Sequence, residues 1–392
     1  MRFSFHADDL KSAIERVMSV TKGKSSFPFA SAVLIEADKE KNMLRFEADN
    51  AVSSVSVALR CSHIQESGFA ILDRAIVKRL YSLSGFVEYY SETGVLCGKG
   101  EKKAVKIPVL DTTKADFWPE HAAFSDQKQI LFAEKDEFLD TFENMIPFVS
   151  YDEARPVYTG VHFDASEHRI SAVDGYHMLT REISYTNGHW EFSPDGAVTI
   201  PVIACKELKT IAGNESNTLS VSLCDKKYIV VSGVDFTYTI RNLEGEFLNV
   251  SRSIGGFKKC QFILETKELL SIVKEYESCN DKDEPMPMAL VRIGDRFYTH
   301  YRHRGYETCD AVSGDVGTLP DDFIKGYNPL YMKHAAELFR KLGASMIAED
   351  DGISNCSTVF TCEDYKCLVL PVRIKEDVLD LIKSYIVDTL AA

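Results

Sequence analysis

Acid–base chemistry needs carboxylates and imidazoles held near one another, and this chain offers few such groupings. Asp8 adjoins Asp9, Glu349, Asp350 and Asp351 form one run, and His177 stands apart from both. No Ser-His-Asp order, HExxH, P-loop or GxGxxG accompanies them. The acidic run follows Gly343 closely and reads as a solvated turn. The ten cysteines are scattered without a CxxC pair, and the spacing of Cys356, Cys362 and Cys367 does not suit a zinc site. They read as small apolar core residues in a reducing cytoplasm. The residues therefore call for no catalytic group, no metal and no cofactor.

The elements are more informative. Three amphipathic segments end in glycine: IVKRLYSLSG at Gly85, IACKELKTIAG at Gly213 and MKHAAELFRKLG at Gly343, at intervals of 128 and 130 residues. A glycine just past the last periodic residue supplies a left-handed helix cap. A second helical pattern recurs in step. It comprises Leu10, Ala13, Ile14 and Val17; then Phe138, Phe142 and Met145; then Leu269, Ile272, Val273 and Tyr276. Strand patterns surround both: 52–59, 228–231 and 236–240, where Phe236, Tyr238 and Ile240 share a face. Turns are expected at 187–189 and 232–234. One unit written three times follows, each copy with antiparallel sheet and two helices, in the α+β class.

At 392 residues and 45% hydrophobic content, three packed domains are affordable in length and core. Neither a secretory leader nor an apolar run of spanning length is read, so a cytoplasmic protein without membrane contact is expected. The net charge of −14 argues against general nucleic-acid binding, though not against positive charge confined to one surface.

Several stretches then narrow the class. YDEARPVYTGVHF (151–163), ISAVDGYHMLTREI (170–183), LEGEFLNVSRSI (243–254), CLVLPVRI (367–374) and the N-terminal MRFSF…SSFPFASAVLIEA closely resemble the bacterial sliding clamp family, the β subunit of DNA polymerase III. The resemblance runs in order over about residues 1–374. It implies clamp domains at 1–122, 123–256 and 257–374, with 375–392 as an extension. It further implies a head-to-tail homodimer ring lined by twelve helices around duplex DNA. Such a ring is a non-catalytic processivity factor that docks replicative polymerase, clamp loader and repair proteins by short peptides. A clamp-like binding protein that does not encircle DNA is the alternative.

Under that resemblance the pore charges are Lys11 and Arg16, Lys24 in the loop after them, Lys78 and Arg79, Lys206 and Lys209, and Lys333, Arg340 and Lys341. Lys and Arg contacts to phosphate are sequence-independent and salt-sensitive, which suits sliding. Asp140 and Glu143 depart from the pattern, because Glu143 falls where relatives tend to be basic. The departure leaves open a divergent second clamp.

The resemblance places the peptide pocket at Arg155, Val157 and Tyr158; Val173, Gly175, Tyr176 and Met178; Leu248, Ser253 and Ile254; and Leu368, Leu370, Val372 and Arg373. An apolar pocket with a few orienting polar groups fits such a role. Leu248 stands where relatives usually carry proline, and Ser253 where they carry an aliphatic residue. Beyond Ile374, Val378, Leu381, Ile382 and Tyr385 mark an amphipathic helix, expected either across or beside the pocket as a gate or as a free tail. The ring seam is assigned to 104–110, with Ile107 and Val109, opposite Leu269, Ile272, Val273 and Tyr276. Pro108 suits an edge strand.

Overall fold

A computed structural model describes every residue except 24–25, 111–117, 120–123, 185–188, 214–215, 257–258, 281–284, 354 and 392. Among the described residues the element order repeats three times as strand, helix, five strands, helix, three strands. The first copy comprises β1 (Arg2–His6), α1 (Ala7–Met18), β2 (Ala32–Asp38), β3 (Met43–Asp49), β4 (Ser53–Arg60), β5 (Ile64–Glu66), β6 (Gly68–Asp73), α2 (Arg74–Val77), β7 (Phe86–Glu92), β8 (Val95–Lys99) and β9 (Ala104–Pro108). The second comprises β10 (Gln127–Glu134), α3 (Lys135–Met145), β11 (Gly160–Asp164), β12 (Arg169–Val173), β13 (His177–Glu182), β14 (Trp190–Phe192), β15 (Ala197–Pro201), α4 (Val202–Ile211), β16 (Thr218–Cys224), β17 (Tyr228–Ser232) and β18 (Phe236–Arg241). A short helix, α5 (Val250–Ile254), follows. The third comprises β19 (Cys260–Leu264), α6 (Thr266–Cys279), β20 (Met288–Ile293), β21 (Arg296–His303), β22 (Tyr306–Val312), β23 (Gly314–Asp315), β24 (Ile324–Tyr327), α7 (Pro329–Lys341), β25 (Met346–Asp350), β26 (Thr358–Cys362) and β27 (Tyr365–Val369). The chain ends in α8 (Glu376–Ile386) and a π-helical turn, Val387–Ala391.

The chain packs as two compact units. Unit 1 is 1–143, 164–166 and 184–244, and unit 2 is 144–163, 167–183 and 245–392. In unit 1 a nine-stranded sheet runs β14-β10-β16-β17-β18-β4-β3-β2-β6, and a second runs β5-β1-β7-β8-β9. The first is continuous because β18 pairs with β4, Phe236 opposite Val57 and Tyr238 opposite Val55. In unit 2, β12-β13-β27-β26-β25-β19-β23 form one sheet and β22-β21-β20-β24 another. There β13 pairs with β27 in the same manner, Met178 opposite Leu368.

The helices follow their apolar spacing. Leu10, Ala13, Ile14 and Val17 are buried on α1, as are Phe138, Phe142 and Met145 on α3. Gly85, Gly213 and Gly343 all lie in the left-handed region, at φ of +72°, +57° and +72°. That is the conformation a C-terminal cap requires of a residue without Cβ. The segment ending at Gly85 differs from expectation. It has four α-helical residues and then a 3₁₀ turn, Leu80–Ser82. The Ser82 hydroxyl donates to the Arg79 carbonyl at 2.8 Å, a local bond that competes with regular helix.

The C-terminal helix spans a sheet face. Ile382 and Ile386 are buried with Ala289 and Val291 of β20 and Tyr298 of β21, and Val378 joins them with Ile324 and Cys309. Side chains alternate along β21: Phe297 and Tyr301 meet Phe262 and Tyr276, while Tyr298 and His300 meet α8. This sheet is covered on both faces, which explains why burial is nearly continuous along β20 and β21. The expected gate across the peptide pocket is not what the segment forms, because its buried side chains pack in this cluster and none lies in the pocket cluster.

Candidate functional site: an apolar cluster and its basic helices

The expected pocket residues converge in unit 2. Val173 ends β12, Met178 follows on β13, and register sets Leu368 directly beside Met178. With Val250 and Val359 they form one buried cluster, flanked by half-buried Tyr158, Phe247, Leu248 and Ile254. The turn between β12 and β13 carries Gly175 at φ +98°, with open space where a Cβ would stand. Asp174 accepts from the backbone N–H groups of Tyr176 and His177, each at 2.8 Å, which fixes that turn. Tyr176 is 62% exposed and Leu370 39%. The Leu370 N–H donates to the Tyr176 carbonyl at 2.9 Å, so the two lie side by side at the cluster's rim. Arg155 and Arg373 are exposed, Val157 is buried and Val372 half-buried. Ser253 is exposed on α5, its hydroxyl donating to the Asn249 carbonyl.

Sequence reasoning missed Phe247, Val250 and Val359. Phe247 stacks on His162 with centroids 4.2 Å apart and 5° between planes, and meets Tyr158 edge-on at 5.6 Å. The signal was available: Gly245, at φ +136° with Val157 packed beneath it, turns the chain so that the next apolar residue faces inward. Asn249 then caps α5 by accepting from the Arg252 N–H. The result is an apolar floor with an aromatic wall and polar edges. Apolar floors with polar edges are, in general, the kind of surface that extended peptides with bulky apolar side chains use.

Beneath the rim, His177 is buried, with Asp174 2.9 Å from its Nδ1 and its Nε2 3.0 Å from Nδ1 of His334. Tyr331 stacks on His177 at 4.3 Å. Burial, with His177 and Lys333 beside it, pushes the His334 imidazole down to about 4. Burial also works against the Asp174 carboxylate, but the hydrogen bond and charge of His177 outweigh it and hold that acid below its usual value. The pair therefore braces the Gly175 turn. The acidic run is likewise no solvated turn, since Asp350 and Lys325 are both fully buried, 2.6 Å apart, with Thr358 also donating to the carboxylate.

The basic candidates divide. Lys11, Lys78, Arg79, Lys206, Arg340 and Lys341 are exposed. Lys341 donates to Asn144 at 2.8 Å. Lys209 lies 3.1 Å from Glu143, so the acid of α3 neutralises a base of α4. Lys333 pairs similarly with Glu277 at 3.1 Å. Lys24 lies outside the described residues, as does most of the turn expected at 187–189. Arg16 is the correction. It is 5% exposed, grips both carboxylate oxygens of Asp235 at 2.5 and 2.9 Å, and donates from Nε to the Ile211 carbonyl at 2.7 Å. Three of its five donors are spent inside the chain and its charge is paired, so this buried guanidinium is not presented to a phosphate.

The seam candidates divide as well. Leu269, Val273 and Tyr276 are buried in the chain's own core, Tyr276 donating to Asp310 at 2.5 Å, and Ile272 is half-buried. Ile107 is buried under its own sheet, and Val109 lies just past β9. What remains available is backbone. β9 and β22 each end a sheet. On β9 the Val109 N–H and the Lys103 carbonyl bond inward, so by alternation Ala104, Lys106 and Pro108 face the free edge.

Among the described residues the other groupings assemble no site. Glu134, Glu137 and His189 bring possible ligand atoms within 4.8 Å, but on an open surface with His189 already bonded to Glu134. A recess of 620 Å³ beside α1 is lined by Asp9, Arg16, Arg60 and Asp235. Among the described residues no helix is long and apolar enough to cross a membrane.

No family model matches the chain. A curated protein from Synechocystis sp., the beta sliding clamp, is 26% identical over 270 residues, covering 63% of this chain and 67% of that protein. The crystal structure of the β subunit of DNA polymerase from Streptococcus pyogenes superposes with a TM-score of 0.84 at 16% identity, over 95% of this chain and all of the other. The DNA polymerase sliding clamp of Bacillus subtilis does so with a TM-score of 0.82 at 17% identity, over 96% and 100%. The fold is that of the bacterial sliding clamps.

Proposed function

We propose that this chain, which has the sliding-clamp fold, is a non-catalytic processivity factor of a DNA polymerase, working as a two-chain ring on duplex DNA in the cytoplasm. The observation that carries the reading is the rule by which copies join. The last strand of the second copy, β18, pairs with the fourth strand of the first, β4. The last strand of the third, β27, pairs with the fourth of the second, β13. The same rule leaves two strands over, β9 and β22, and β9 of one chain matches β22 of another. Applied twice with two-fold symmetry, it pairs both leftover edges and closes six copies into a ring. Domains at 1–122, 123–256 and 257–374 are the copies so joined, with 375–392 appended.

Inside such a ring the exposed bases of α1, α4 and α7 hold phosphates, while the net charge of −14 discourages binding elsewhere. The cluster of Val173, Met178, Val250 and Leu368 receives short peptides of polymerase, clamp loader and repair proteins. Loading on nicked circular DNA tests the ring. Protein retained on closed circles and released on linearisation supports topological linkage, and equal retention on both refutes it. A second reading, a clamp-like binder that does not encircle DNA, draws on the Lys209–Glu143 pair and the internal role of Arg16, which lessen the positive charge. A monomeric mass at micromolar concentration selects it.

A further inference from the structure

We propose that the C-terminal helix and turn, 375–391, form part of the ring seam, buttressing strand β22 and meeting the first copy of a second chain. This rests on the ring reading above, and extends it to a segment that lies beyond the three repeats.

The path of the segment carries the argument. It leaves the β24 edge of its sheet, where the Val372 N–H donates to the Gly326 carbonyl at 2.9 Å. It crosses β20 at Ala289 and Val291, then β21 at Tyr298. The Tyr385 ring meets His300 edge-on at 5.4 Å, and its hydroxyl reaches the Glu307 carbonyl of β22 at 3.5 Å. The final turn, Val387–Ala391, lies against β22. The helix thus straps all four strands and ends at the one strand whose counterparts, β4 and β13, are paired by another copy.

An unpaired edge strand held only by its neighbour bends and frays, and fixing it beforehand lowers the ordering cost of pairing. The strap does this on the outward face, as α6 does on the other through Tyr276 and Asp310. It also brings surface of its own. Val387 is 41% exposed and Leu390 45%, two apolar side chains left open on an exposed turn. Charge points to the same occupant. Lys102 and Lys103 stand just before β9, where Lys106 is already paired with its own Glu92 at 2.8 Å, whereas the end of the strap carries Asp388 beside β22. A second copy arriving by β9 brings those two lysines toward this apolar rim and its carboxylate.

Sedimentation velocity over a concentration series tests this with the full chain and two variants. Val387→Glu with Leu390→Glu alters exposed positions only. The dimer dissociation constant is expected to rise tenfold or more, with the melting temperature unchanged. Lys106→Pro removes an N–H that faces the β9 edge, and is expected to split the dimer outright. If Lys106→Pro splits the dimer and the double variant does not weaken it, the strap has no part in the seam and the proposal falls while the ring stands. If Lys106→Pro leaves the dimer intact, the seam assignment fails and takes the proposal with it. A melting temperature lowered by the double variant places both side chains in the fold's own packing, and also overturns the proposal.

Discussion

Arg16 is the residue whose role changed most between sequence and structure, and its replacement separates two explanations cleanly. Both members of the Arg16–Asp235 pair are nearly excluded from water, at 6% and 10% side-chain exposure, and the guanidinium makes three hydrogen bonds. Arg16→Met keeps the aliphatic stem and removes the charge. It leaves the Asp235 carboxylate buried without a counter-charge and the Ile211 carbonyl without its donor. Breaking one side of such a pair costs about 3–5 kcal/mol. The Arg16→Met, Asp235→Leu double variant removes both charges and should regain most of that loss. Urea unfolding followed by circular dichroism reads both, as a shift of midpoint at constant slope. DNA retention against salt then gives the functional side. Losing one phosphate contact lowers the slope of log K against log salt by about 0.9. Lys206→Ala should show that change with no loss of stability. Arg16→Met should show the opposite: a large stability loss and an unaltered slope. A slope reduced by about 0.9 at unchanged stability would refute the buried-clamp reading and return Arg16 to the DNA.

The remaining expectations use the same logic. His334 titrates near 4 in the fold against 6.5 unfolded, so its neutral form contributes stability that is complete above pH 6.5 and lost as pH falls toward 4. At 1.36 kcal/mol per unit this is about 3 kcal/mol, and His334→Gln should flatten that part of the stability–pH curve. Gly175→Arg costs about 1–3 kcal/mol in backbone strain at φ +98° and sets a long side chain at the rim of the cluster. Anisotropy with a labelled Gln-Leu-x-Leu-Phe peptide should show at least a tenfold loss, and full affinity would remove the cluster from consideration. Glu143→Gln frees Lys209 and should steepen the salt dependence of DNA retention by up to about 0.9, whereas a slope left as it was would mean that Lys209 faces no phosphate.

The repeats were legible because glycine caps and 3.6-residue spacing are local. Gly85, Gly213 and Gly343 adopt the conformation their positions imply, and the apolar faces of α1 and α3 are buried. That Val173, Met178 and Leu368 cluster was legible only as a joint match, since Val173 or Leu368 alone reads as an ordinary strand residue. What stayed hidden depends on distant partners. A lone arginine on an amphipathic helix reads as solvated until Asp235, more than two hundred residues on, comes to meet it. Asp350 hid within an acidic run because Lys325 lies on another strand. The periodicity of 375–392 announces an apolar stripe but not which surface receives it. Among the seam candidates, Tyr276 and Ile107 lie within the chain's own core, a burial that the family resemblance did not reveal.

The pairing of β4 with β18 also sets an order on synthesis. Its partners, such as Tyr238 and Val55, lie roughly 180 residues apart in sequence. At about 5–20 residues per second, β4 leaves the ribosome roughly 10–40 s before its neighbour exists. Throughout that interval its open edge, rich in valine and serine, can capture another nascent chain. β13 waits in turn for β27. The strap emerges after β27, so β22 gains its buttress only after both internal joints can be made, and a product truncated before it would carry the unsupported edge but not the brace.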